Sequence, residues 1–174
     1  MGAFTYPRSE PGSAGHQDLV ERLNAVPGAL KTEVSDLPEE ALTHRPGEGD
    51  WSIKEVIGHL CDAGAVLQTR LYRMINQEEP RLPSWDQEER QRERNAQDKL
   101  IQDLLHEFSS QRAETVDMLS ELVHWNWARP GRHEERGRLS IRQLVELALA
   151  HEEEQHLPQL RRLKEQAAAA PATS

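Results

Sequence analysis

An all-α fold, a four-helix bundle with two longer crossover connections, is the architecture this sequence predicts, on three observations. Apolar residues recur at threes and fours along four long segments. Two of those segments open on a capping box, and no stretch alternates at period two with β-branched enrichment. Composition points the same way: the chain is 36% hydrophobic but only 5% aromatic, and Leu, Ala, Glu, Arg and Gln, all good helix formers, dominate it. A chain of 174 residues suits one domain with a sizeable core.

The elements follow in order. Residues 1–15, rich in Pro, Gly and Ser, are expected to form a flexible segment ahead of a single domain spanning 16–166. The first helix is expected from about His16 to Val34, with Leu19, Leu23, Val26 and Leu30 on its apolar face and a kink or break at Pro27. Two prolines and two glycines in 36–50 mark a turn. The second helix opens at Ser52, where Ser52 and Glu55 have capping-box spacing, and runs to about Asn76. EEPRLPSWDQ, residues 78–87, breaks it. A third helix is expected over roughly 88–121, very polar at first, with an apolar face only from Leu100 onward. The connection through RPGRHEERGR, residues 129–138, reads as a solvated loop. The fourth helix starts at Ser140, capped with Gln143, and ends near Gln166, leaving 167–174 as a disordered tail.

Charge and cysteine usage exclude several function classes. A formal net charge of −9 opposes a phosphate backbone, so no nucleic-acid partner is expected. No stretch approaches the length of an apolar membrane span, and the N-terminus lacks the pattern of a signal peptide. One cysteine, Cys61, precludes an internal disulfide and fits a cytoplasmic location.

The fourth helix carries the chemistry. ALAHEEEQHLPQL, residues 148–160, interrupts an apolar stripe with six strongly polar residues. Continuing the stripe from Val145, Ala148 and Leu149 lands on Glu152 and His156, about 40° apart on a regular helix. His151 stands at the edge of the stripe, about 140° from His156. An inward carboxylate and imidazole are costly to desolvate unless paired or bound to a metal. His59, in VIGHLCD, lies near the apolar face of the second helix. His59, Glu152 and His156 together would give three N/O ligands with one coordination position left open, a catalytic zinc pattern. A hydrogen-bonded core histidine is the competing explanation for each imidazole. Asp62 is read as the partner of a basic group, and Cys61 as a small apolar filler.

On GDWSIKEVIGHLCDA (49–63), Arg70, RLPSWDQ, the loop with Trp127, Arg129, His133 and Gly137, and the closing HLPQL, the chain resembles the DinB/YfiT-like superfamily over roughly 16–165. The resemblance implies a four-helix-bundle metalloprotein that carries nickel or zinc on three histidines, one before a leucine in helix two and an H-x-x-x-H pair in the last helix. His59 and His156 match that pattern. Four residues before His156, however, stands Glu152, and His151 comes one residue too early. Either Glu152 replaces the histidine, as stripe continuity favours, or a one-residue bulge turns His151 inward as the alternative third ligand, or the site has decayed. The resemblance further implies a small-molecule substrate and a homodimer. Its leading functional expectation is a thiol S-transferase that uses a low-molecular-weight thiol in detoxification or stress response. A metal-dependent hydrolase is the nearest alternative, and a non-catalytic metal-binding or dimerisation module the third.

Overall fold

The computed structural model describes residues 13–170, so the expected flexible start and tail lie largely outside the described residues. Where they are described, helix extends further than expected at both ends. Helix α1 covers Ser13–Val34, and the last helix continues to Ala169. A short α2, Glu39–Thr43, leads to α3, Ile53–Asn76. After a two-residue strand β1, Arg81–Leu82, come α4, Gln87–Arg94, and α5, Ile101–Ser120. A hairpin of β2, Pro130–His133, and β3, Gly137–Ser140, precedes α6, Ile141–Leu149. Without a break in the rod, α6 passes through a π-helical stretch, Ala150–His156, into α7, Leu157–Ala169.

Four long rods, α1, α3, α5 and the α6–α7 rod, enclose one core. Leu23 and Leu30 of α1, Leu60 and Leu71 of α3, Leu104 and Phe108 of α5, and Val145 and Leu160 of the last rod meet there. Both capping boxes form. The Glu55 amide donates to Ser52 Oγ and the Ser52 amide to Glu55 Oε2, and Gln143 and Ser140 exchange the same pair of bonds. Asp62 does meet a basic group: Arg94 holds both Asp62 and Glu107, tying α4 to α3 and α5. Cys61 is buried, with its Sγ against the Leu104 carbonyl oxygen.

Three local expectations give way. The single helix expected over 88–121 is two, because Asn95 takes a left-handed conformation (φ 49°) and ends α4; the polar first half has no buried residue to hold it in line with α5. Pro27 does not break α1. The expected solvated loop at 129–138 is instead a hairpin whose first strand pairs in parallel with β1, giving a three-stranded sheet in the order β1-β2-β3. Strands of two to four residues are too short to show a period-two pattern. Gly131 permits the sheet to lie on the bundle, since a Cβ there would stand 2.8 Å from Leu82 Cδ1 and 3.0 Å from Met74 Cγ. The sheet matters because the segments that follow β1 and β2 overhang one side of the bundle. Among the described residues no helix is long and apolar enough to cross a membrane.

Candidate metal centre

His59 enters the site from the buried face of α3, two turns after the Ser52 cap. His151 and His156 come from the π-helical stretch, where the chain closes i→i+5 bonds, as in the Leu157 amide donating to the Glu152 carbonyl. One wide turn therefore separates the two histidines, and residues five apart share a face, which a regular helix forbids. His151 Nε2 lies 3.1 Å from His59 Nε2 and 2.9 Å from His156 Nε2. The ligand atoms of the three all fall within 4.8 Å of one another, and they form the one such group of His, Cys, Asp or Glu among the described residues.

Glu152, expected as a ligand on stripe continuity, is directed elsewhere. It is buried, but it accepts from both terminal nitrogens of Arg112 on α5, one of them at 3.0 Å. The stripe was read correctly as an inward face, but two neighbours share that inside: Arg112 takes Glu152, and His59 meets His151. Of the two registers left open by the sequence, the structure contains the widened turn. Arg112 is itself completed by α1. Its Nη1 donates to the Leu23 carbonyl at 3.0 Å. In a regular helix that carbonyl would accept from residue 27, but Pro27 has no N–H to give. A proline on one helix thus supplies the acceptor for a buried arginine on a second, which holds a carboxylate on a third. Burial raises the Glu152 carboxyl above its ordinary value, and the adjacent Arg112 guanidinium opposes that rise.

Around the histidines the surroundings favour the neutral ring. Burial lowers His59 to about 3, helped by His156 and His151, and His151 to about 4, helped by His156, and burial also lowers His156. His156 Nδ1 donates to Gln159 Oε1 at 2.8 Å, which leaves its Nε2 as a lone pair facing the other two rings. Trp85 stacks on His59 (centroids 5.6 Å apart, planes at 15°), and Trp51 meets it from another side at 5.0 Å. No helical periodicity could have placed either ring on His59, because each stands in a connection between helices.

This donor set fits a cation. Three mutually facing Nε2 atoms on neutral imidazoles have lone pairs to spare and too few protons to satisfy one another. Tetrahedral zinc at about 2.0–2.1 Å from each nitrogen needs ligand atoms at about this mutual spacing. His151 also lines a cleft of about 610 Å³ between α3, α6 and the overhanging segments at Ser84–Glu88 and His133–Arg136, so one side of the cluster faces open space. Arg70 lines the same cleft, but it donates to the Pro83 carbonyl at 2.8 Å and does not pair with Asp86. His124 lies away from the site beside His16, while His44 and His106 are outside the cluster.

Comparisons with known proteins give the family and the fold. The family model of the DinB superfamily matches residues 22–160. The chain is 31% identical over 72 residues to a candidate metal-dependent hydrolase of Oceanobacillus iheyensis, covering 41% of this chain and 42% of that one. With a similarly described protein of Geobacillus kaustophilus it is 34% identical over 73 residues, covering 40% of each. The chain thus spans about two-fifths of the length of the curated relatives it matches. Among solved structures, YfiT from Bacillus subtilis, described as a probable metal-dependent hydrolase with an unusual four-helix bundle topology, matches with a TM-score of 0.85. That match covers 97% of this chain and 95% of the other at 16% identity, a likeness of fold. With the family model matching most of its length, the chain belongs to the DinB superfamily.

Proposed function

We propose that this chain is a metal-dependent hydrolase of small molecules, with a divalent cation, zinc or nickel, held by His59, His151 and His156. The observation that carries the proposal is the convergence of three uncharged imidazole nitrogens, one of them on His151 in the wall of a cleft large enough for a small substrate. A cation bound there supplies Lewis acidity and lowers the pKa of a bound water or thiol toward neutrality. The chain's own residues set how strongly. Because Arg112 occupies Glu152, all three ligands are neutral, and none of the cation's charge is cancelled by a carboxylate. Gln159 fixes the tautomer of His156, and Trp51 and Trp85 shield His59 from water.

Hydrolysis stands ahead of thiol transfer because the relatives are described as hydrolases. Thiol transfer is the second reading, and one observation shapes it. The chain's own Cys61 is buried and its thiol pushed up to about 12, so any thiolate nucleophile would have to come from a separate low-molecular-weight thiol.

Metal analysis of untagged protein, compared with His151→Ala, His156→Ala and Glu152→Ala variants, tests the centre. Wild type and Glu152→Ala should retain metal, and the two histidine variants should not. Activated-ester hydrolysis by the zinc-loaded protein, with and without an added small thiol, then separates the two reactions. Turnover without thiol supports hydrolysis; turnover of an electrophile only with thiol supports transfer. Wild type holding no more metal than the histidine variants returns the protein to a non-catalytic bundle.

A further inference from the structure

The cleft beside the histidines has two chemically different ends. On α3, His59, Ala63, Leu67 and Arg70 follow at spacings of four, four and three, so they lie along one face. Eleven residues separate His59 from Arg70, which is about 16 Å along the axis. On the opposite wall, Leu144, Leu147, Ala148 and His151 of the last rod follow in the reverse direction. The cleft thus has an imidazole end, an apolar floor and walls, and an arginine end.

Arg70 is the mismatched group in this lining. It is half-buried, its Nη2 donates to a backbone carbonyl, and its Nε is buried with no hydrogen-bond partner. The charges of Glu134 and Glu135 act on Arg70, but the carboxylates that share the cleft hydrogen-bond elsewhere. Asp86 accepts from the amides of Glu88 and Glu89 to cap α4, Glu135 accepts from Ser84 Oγ, and Glu152 is held by Arg112. Glu88, the remaining one, is exposed. Arg136, at the exposed tip of the β2–β3 hairpin, adds a second guanidinium at the rim. A buried N–H without an acceptor is costly unless a ligand completes it, and the planar fork of a guanidinium suits an oxyanion, a carboxylate best of all.

We infer that the substrate is a small amphiphilic acid, with an apolar body along the cleft floor and a terminal carboxylate on Arg70, which sets the reactive group at the histidine end. Arg70 is a specificity-determining residue in this assignment and takes no part in bond making. The assignment deepens the metal-dependent reading and rests on it for the position of the reacting group, while recognition of the acid end depends on Arg70 alone.

The test therefore begins with metal-free protein, in which no cation competes for the carboxylate. Calorimetric titration with 4-phenylbutyrate and with 4-phenylbutyramide compares ligands of matched shape whose end group is an anion in one and a neutral amide in the other. Wild type should bind the acid about tenfold or more tightly than the amide, and Arg70→Met should remove that preference. Arg70→Lys, which keeps the charge and loses the fork, should retain part of it. Equal binding of acid and amide by wild type, or no binding of either, overturns the inference, as does an acid preference that survives in Arg70→Met. Wild type alone decides the first point even if the variants fail to fold. Zinc titration of the same wild-type sample reports on the histidine cluster separately. Acid preference without zinc binding would sink the metal centre and spare Arg70; zinc binding without acid preference would do the reverse.

Discussion

Among the described residues, two places gather histidines against tryptophan, and one of them has the makings of a metal centre. At the cleft, His59 stacks on Trp85, and three ring nitrogens face one another. Beside a smaller cleft of about 260 Å³, His16 stacks on Trp127 at 4.4 Å, with His124 a further ring 5.0 Å away. In both places a ring nitrogen is buried without a partner, and burial lowers the pKa of His16 as it does those of the triad. The difference is convergence. Among the described residues His16 and His124 have no third ligand, whereas the π turn brings His151 to a point that His59 and His156 already share. Burial and aromatic stacking thus describe a comfortable histidine, and ligation needs several lone pairs aimed at one point.

The sharpest way to break that comparison is to remove one ring from each cluster. His151→Ala or His156→Ala should weaken zinc binding by more than about 100-fold, since a lost ligand costs more than a lost supporting group. His124→Ala should leave zinc affinity unchanged in the same calorimetric titration. Loss of zinc from His124→Ala would show that the two clusters are one system. The next largest effect concerns the pair behind the π turn. Arg112→Met strands a buried carboxylate and should cost about 3–5 kcal/mol in urea denaturation. Adding Glu152→Leu to it should recover most of that loss. A double variant as unstable as the single one would mean that the pair itself stabilises the fold.

Acid should also distinguish protein from unfolded chain. With folded pKa values of about 3 for His59 and about 4 for His151 against an ordinary 6.5, the unfolded state binds more protons below pH 6.5. Stability of the metal-free protein from these groups is complete above 6.5 and falls as pH drops through the window toward the folded values. Melting temperatures that stay level from neutrality to about pH 5 would contradict the buried, neutral cluster. Gln159→Ala removes only the acceptor that orients His156 and should cost zinc affinity about tenfold. The smallest expected change is in Pro27→Ala. It returns an N–H to the Leu23 carbonyl and competes with Arg112 for it, so a gain in helix propensity of up to about 3 kcal/mol is offset by the acceptor the buried arginine loses, and the net change in the same urea titration should be smaller than either.

How much of this was legible in one dimension varies along the chain. The helices at Ser52 and Ser140 were readable because their caps are local, with all four partners within three residues. His59 and His156 were readable because each continues an apolar stripe. The split at Asn95 and the β1–β2 pairing were not, since one depends on what α4 can bury and the other joins residues about fifty apart. Trp85 reaches His59 only because the sheet holds its segment over the cleft.

The sequence by itself determined the number and course of the long helices, their capped starts, and that residues near 152–156 face inward, because helical periodicity and capping are short-range. Only the tertiary structure decided which of two adjacent side chains, His151 or Glu152, joins His59 and His156. That choice belongs to a buried arginine on one helix and a carbonyl freed by a proline on another, partners that a linear reading of the fourth helix does not contain.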